Sequence, residues 1–147
     1  DDCLSEEESL TKETIKNSVP GTGKKCILVA DDERALRDII SRKLKHAGFE
    51  IIEAVDGQDA VDVFTKNQDT IDGALLDFSM PRLNGEETQQ ALHAIRKDLP
   101  IVIMSGFSEK EVVDRFREAG IAGCLQKPVS MEVLVDTIHK VVGVPLK

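Results

Sequence analysis

Four stretches of this chain carry side chains that could do chemistry together, and each follows an apolar run directly. Asp31-Asp32-Glu33 follows Cys26 to Ala30, and Asp77 ends the run in Ala74-Leu75-Leu76-Asp77-Phe78-Ser79-Met80-Pro81. Ser105-Gly106 follows Ile101 to Met104, and Gln126-Lys127-Pro128 follows Ala122 to Leu125. A short apolar run that stops at a polar residue reads as a buried strand, and in an open parallel sheet chemistry collects beyond the carboxyl ends of the strands. If the strands ending at Asp31 and Asp77 are neighbours, about 4.8 Å apart, their terminal carboxylates meet. Acids that close repel one another unless some are protonated or a cation sits among them. An all-oxygen cluster without His or Cys suits Mg²⁺, or Mn²⁺, better than zinc. Lys127 would start two strand spacings from Asp77, roughly 10 Å, most of which its side chain can cover. A carboxylate nucleophile, a divalent metal, an ammonium and a hydroxyl donor are the parts that phosphoryl transfer needs.

Each residue has a plainer reading taken singly. Asp31 to Glu33 could be an acidic first helical turn favoured by the helix dipole, Ser105 a loop serine and Lys127 a surface lysine. Asp77 could cap the next helix, but Asn84 is better placed, one residue before Gly85-Glu86-Glu87 with an acid at the third helical position. The plain readings leave unexplained why two adjacent acids face a third strand's acid.

The elements that must position these residues follow from periodicity. The runs Cys26 to Ala30, Gly73 to Leu76, Ile101 to Met104 and Ala122 to Leu125 are nearly all apolar, as in strands covered on both faces, whereas the mixed run Glu50 to Ala54 suits an edge. Leu36, Ile39, Ile40, Leu44 and Ala47 recur at helical spacing, with Asp32 as N-cap and Gly48 as stop. A second helix is marked by Ala60, Val61 and Phe64, and a third by Ala91, Leu92 and Ile95. Ser108-Glu109-Lys110-Glu111 is a capping box that opens a fourth helix through Val112, Val113, Phe116 and Ala119 to Gly120; Ser130 caps a fifth through Leu134, Ile138 and Val142 to Gly143. Strict strand and helix alternation implies an α/β fold, a doubly wound five-stranded parallel sheet with helices on both faces.

Composition bounds the function. With 147 residues, 41% of them hydrophobic, the chain suffices for one domain with its own core. A net charge of -8 argues against direct contact with nucleic acid, whose phosphates need a basic face. No apolar run approaches the roughly 20 residues of a membrane span, and no signal segment opens the chain, so no membrane contact is expected. The three cysteines, Cys3, Cys26 and Cys124, have no metal or redox spacing, which fits a reducing cytoplasmic compartment. Residues 1–24 differ from the rest: Ser5-Glu6-Glu7-Glu8-Ser9 is acidic and Val19-Pro20-Gly21-Thr22-Gly23 is rich in turn formers, as in a flexible linker. Gly21-Thr22-Gly23-Lys24-Lys25 is not a phosphate-binding loop, because Ser18 stands where glycine is needed, Lys25 where Ser or Thr is needed, and no strand precedes it. The start at Asp1-Asp2, without methionine, reads as a fragment of something longer.

From about Lys25 to the C-terminus the chain resembles a receiver domain of two-component signalling, on the landmarks Asp31-Asp32, Asp77, Ser105 and Lys127-Pro128. The resemblance covers some five sixths of the sequence and implies a domain over 25–147. It further implies the flavodoxin-like strand order 2-1-3-4-5, which is a known example of that architecture. By resemblance, Asp77 accepts a phosphoryl group from a kinase phosphohistidine. Asp32, Asp77 and the backbone carbonyl of Ser79 ligate Mg²⁺, Asp31 acts through metal-bound water, and Lys127 and Ser105 hold the phosphoryl oxygens. The Lys127-Pro128 peptide is expected to be cis. The implied partners are a histidine kinase domain or a histidine phosphotransfer domain, and the implied setting is the C-terminal receiver of a hybrid sensor kinase or a detached response regulator. Whether such a chain counts as an enzyme is open, since it would catalyse only its own phosphorylation and dephosphorylation.

Two residues depart from that pattern. Cys124 stands where the family usually has an aromatic, three residues before the lysine, and Phe107 places an aromatic in the loop after the fourth strand. The switch is therefore expected to run through Ser105 and Phe107, with Cys124 too small to take part. Two rival readings remain: a haloacid-dehalogenase-like aspartyl phosphatase, which needs a second acid where Ser79 stands, and a receiver-shaped interaction module that is never phosphorylated.

Overall fold

Short apolar runs alternating with segments of helical period fold here into strands and helices in strict succession. The computed structural model describes residues 25–116 and 120–143. The expected linker over 1–24 lies outside the described residues. The elements are β1 (Cys26–Ala30), α1 (Arg34–His46), β2 (Glu50–Ala54), α2 (Gly57–Lys66), β3 (Gly73–Asp77), α3 (Gly85–Ile95), β4 (Ile101–Ser105), α4 (Glu109–Arg115), β5 (Gly123–Gln126) and α5 (Met131–Val142). All strand pairs are parallel, and the order is β2-β1-β3-β4-β5. The expected order and class are both found.

Side chains of consecutive strand residues point to opposite faces, and the core divides accordingly. Leu28, Ala30, Leu76, Ile101 and Ile103 pack with Ala60, Phe64, Leu92, Val112 and Phe116 from α2, α3 and the end of α4. Ile27, Val29, Leu75, Val102 and Met104 pack with Ile40, Leu44, Leu134 and Ile138 from α1 and α5. Each such leucine or isoleucine contributes roughly 1.5–3 kcal/mol by leaving water. Covering both faces explains why β1, β3 and β4 are buried at every position.

Three helix starts match the sequence expectation. Asn84 and Glu87 form a capping box on α3, Ser108 and Glu111 another on α4, and the Ser130 hydroxyl accepts from the N–H groups of Glu132 and Val133 on α5. The first helix differs. Glu33, not Asp32, is the N-cap residue, and its side chain makes no cap bond. Asp32 lies one position too early and its carboxylate is gathered with those of Asp31 and Asp77, so it cannot serve the helix. Gly48, at φ 104, takes the left-handed turn that stops α1 as expected. The expected run of the fourth helix to Ala119 enters residues 117–119, outside the described residues; Phe116 is the C-cap. A second correction concerns β5, which was expected to be covered on both faces. It is the other edge of the sheet, as the order 2-1-3-4-5 requires, and only Leu125 is buried, while Gly123 and Cys124 are partly covered and Gln126 is exposed.

Candidate functional site

The site forms where β1, β3, β4 and β5 end. Because Ala30 pairs with Leu76, the next residues, Asp31 and Asp77, emerge side by side. One carboxylate oxygen from each of Asp31, Asp32 and Asp77 lies within 4.8 Å of the others. Asp31 and Asp77 are buried and Asp32 is exposed, so the cluster has a closed floor and an open rim. The Asp31 Oδ1 accepts from the Glu33 N–H at 2.8 Å, while its buried Oδ2 has no hydrogen-bond partner among the described residues. Burial pushes the Asp31 carboxyl up to about 6, and the neighbouring charge of Asp77 adds to the rise against the opposing pull of the Glu33 N–H and Lys127. An orphaned buried carboxylate oxygen beside two further carboxylates is the donor set that a hard divalent cation satisfies. The residues present therefore fit Mg²⁺, and they offer neither nitrogen nor sulfur for a softer metal.

Across the sheet, Lys127 Nζ reaches Asp77 Oδ1 at 3.1 Å, so the ammonium spans the two strand spacings as expected. The Ser79 N–H also points at Asp77 Oδ1, at 3.4 Å. Ser105 is buried as the last residue of β4, and its Oγ accepts from the Phe107 N–H at 3.2 Å, which leaves its own proton to donate. The Lys127-Pro128 peptide is cis, as expected, and the Lys127 N–H donates to the Ser105 carbonyl at 2.7 Å, which joins the ends of β4 and β5. Asp31, Asp32, Asp77, Ser105 and Lys127 thus converge on one edge.

The loop after β3 is closed on itself. The Gly85 N–H donates to the Phe78 carbonyl at 2.8 Å, and a Cβ at position 85 would lie 2.7 Å from the Phe78 Cα, so only glycine lets the loop pass this close. Within it Arg82 takes φ 68, costly for a non-glycine residue, and the Leu83 N–H closes the turn on the Pro81 carbonyl. Arg82 is tied through Nε and Nη2 to Asp56, the N-cap of α2, at 3.0 and 3.2 Å. With the Arg82 guanidinium open to solvent, the attraction is screened and weak.

Several neighbours of the site were not singled out from sequence. Phe78, beside Asp77, meets Phe107 edge-on with ring centroids 5.3 Å apart and Phe116 at 6.2 Å, while the Arg115 guanidinium lies 5.1 Å from its centroid. Arg115 also bonds Glu86 at 3.0 Å, so α3, α4 and both loops share one contact. Phe107 itself is 42% exposed. Cys124 packs, partly buried, against the α2, α3 and α4 side of the core. Arg37 could have been found from the sequence. It stands on the stripe of α1 that also holds Ile40, Ser41 and Leu44, and a charge on a core-facing stripe needs a specific partner.

Residues 27–139 match the family model of the response regulator receiver domain. This chain belongs to the receiver domain family of two-component signalling. Among curated relatives, the transcriptional regulatory protein PdtaR of Mycobacterium tuberculosis is 34% identical over 118 residues, 80% of this chain and 56% of that protein. The sensor histidine kinase RcsC of Salmonella typhimurium is 32% identical over 136 residues, 88% of this chain but 14% of that protein. The receiver thus spans about half the length of the one relative and a small part of the other. Among solved structures, a response regulator receiver domain protein from Clostridium thermocellum superposes with a TM-score of 0.75 at 26% identity, over 80% of this chain and 94% of that one. The chemotaxis protein CheY4 of Vibrio cholerae gives 0.75 at 28% identity, over 80% and 98%. A haloacid-dehalogenase-like phosphatase is not favoured by these matches. No helix among the described residues is long and apolar enough to cross a membrane.

Proposed function

We propose that this receiver takes a phosphoryl group from a phosphohistidine onto Asp77. The observation that carries the reading is the 3.1 Å contact of Lys127 Nζ with Asp77 Oδ1 beside three converging carboxylates. An Asp77 carboxylate oxygen attacks phosphorus; the new P–O bond forms as the P–N bond breaks, and the imidazole leaves with its electron pair. Lys127 and the Ser105 hydroxyl then meet the phosphoryl oxygens where negative charge gathers. Asp32, Asp77 and the Ser79 carbonyl would hold Mg²⁺, with Asp31 acting through its water, and Mn²⁺ would serve in its place. The metal, when bound, supplies positive charge to the transferring group. Asp31, buried and with an unpaired oxygen, keeps the pocket receptive to that cation.

The donor is a histidine kinase domain or a histidine phosphotransfer domain. Beside Lys127 an open apolar recess of about 420 Å³, lined by Leu36, Met104, Pro128 and Val129, gives such a donor a surface next to the nucleophile. The receiver comprises 25–147 behind an acidic linker over 1–24, works in the cytoplasm, and is either the receiver segment of a hybrid sensor kinase or a detached regulator. Its acidic balance supports the absence of direct nucleic-acid contact.

Labelled acetyl phosphate with Mg²⁺ tests the reading. The expected product is one acyl phosphate, removed by hydroxylamine and absent in Asp77→Asn. Label that persists in that variant, or survives hydroxylamine as a phosphoserine would, defeats the assignment. Absence of any label in the wild-type protein would instead favour a receiver-shaped interaction module.

A further inference from the structure

The acid cluster depends on one backbone segment. Asp31 and Asp32 are consecutive, yet one side chain is fully buried and the other exposed, so the peptides around them must be held in a single orientation. Besides the Glu33 N–H on the Asp31 carboxylate, two hydrogen bonds hold them. The Asp31 N–H donates to the Ala54 carbonyl at the end of β2, at 3.2 Å. The Asp31 carbonyl accepts from Arg37 Nη1 at 2.8 Å, a bond buried from solvent. Arg37 is in turn fixed through Nε to Glu53 of β2, at 2.9 Å. A planar guanidinium has the fork geometry to serve two acceptors at once, which a lysine ammonium on a flexible stem does not reproduce.

We infer that Arg37 is a positioning residue for the metal site: clamped by Glu53, it fixes the Asp31 carbonyl and so sets the divergent directions of the Asp31 and Asp32 carboxylates. The inference rests on the reading of this cluster as a divalent-cation site. Its logic is that of any group that orients a ligand without touching the metal, whose loss typically weakens binding about 10- to 100-fold. Arg37 reaches Asp31 through the carbonyl, and its charge has the wrong sign to help a cation bind. Positioning and plain electrostatics therefore predict opposite outcomes. If only charge matters, removing this cation relieves repulsion and Mg²⁺ binds more tightly. If the clamp matters, Mg²⁺ binds more weakly even where the charge is kept.

Calorimetric titration of Mg²⁺ into the full chain decides between them, using wild type, Arg37→Lys, Arg37→Met and Glu53→Ala. Thermal melts without metal are recorded alongside, and Ile138→Val in α5 serves as a control that is destabilised away from the site. The expected result is affinity lowered about tenfold in both Arg37 variants, a smaller loss in Glu53→Ala, and wild-type affinity in Ile138→Val. Unchanged affinity in Arg37→Lys, or tighter binding in Arg37→Met, overturns the inference. If the Arg37 variants do not fold, Glu53→Asp, which keeps the charge while shortening the reach to Arg37, is titrated in their place: weaker Mg²⁺ binding supports the clamp, and unchanged or tighter binding overturns it. Failure of wild type to bind Mg²⁺ would remove the metal-site reading itself, and the clamp with it.

Discussion

The two ends of the site differ in how firmly they are held. On the β1 and β3 side, Asp31 and Asp77 are buried, the Asp31 peptides are bonded on both flanks, and the loop after β3 closes through Gly85 with no room for a side chain. On the β4 and β5 side, a Cβ at Gly106 would point into open space, Phe107 is 42% exposed and Lys127 is reached by solvent. A cation site works best when its ligands are set beforehand, since every ligand that must be ordered on binding weakens it. Groups that close on an arriving phosphoryl must move. On the proposed reading, metal binding falls to the rigid side and the response to phosphorylation to the loose one.

The largest test of that division is Asp32→Ala, which takes the exposed rim from the rigid side. Both Mg²⁺ binding and phosphorylation should be lost, and an unchanged Mg²⁺ titration would sink the assignment. Ser105→Ala should do the reverse. The rate of labelling should fall on the order of 100-fold, as when one hydrogen-bond donor to a developing charge is removed, while Mg²⁺ affinity stays at the wild-type value. A parallel loss of metal affinity would show that the two sides are not separable.

Gly85→Ala probes how tightly the acid side is built. Its Cβ would fall against the Phe78 backbone, which cannot yield as a flexible side chain could, so denaturant unfolding should register a loss of about 1–3 kcal/mol. A neutral result would mean that the loop is looser than its contacts imply.

A subtler effect concerns pH. The Asp31 carboxyl is raised from its ordinary 3.8 to about 6, so the folded chain holds that proton more tightly than the unfolded chain. Its contribution is favourable below pH 3.8, declines as pH rises through 3.8 to 6, and is lost above. Asp31→Asn should therefore melt several degrees above wild type at pH 7.5 without metal and by a smaller margin at pH 4. Added Mg²⁺ should narrow the gap at pH 7.5, because the cation compensates the charge that burial, and then the neighbouring Asp77, make costly. Equal melting at both pH values would count against the burial of an ionised Asp31.

The smallest expected effect lies on the loose side. With beryllofluoride in place of a phosphoryl group, hydrogen exchange should change over 106–111, where Phe107 packs on Phe78, and stay quiet in β5. Equally large changes around Cys124 would show that the β5 edge responds without an aromatic ring.

Much of this protein is legible in its sequence because the signals are local. Apolar runs too short for helices, the capping boxes at Asn84 and Ser108, and the stop at Gly48 each depend on residues within one turn of chain, and they fix an alternating α/β fold. The candidate acids were also visible, since a charged residue directly after an apolar run has few places to be. In the sequence Asp32 fits both a helix cap and a member of the acid cluster, and only the neighbouring strand ends, which gather it with Asp31 and Asp77, exclude the cap. Tertiary structure decided that Asp31 is the buried member of the pair and that Arg37 reaches across to Glu53. These outcomes follow from strand neighbours and packing between segments far apart in the chain, where one residue's surroundings are set by others that its own flanking sequence does not contain.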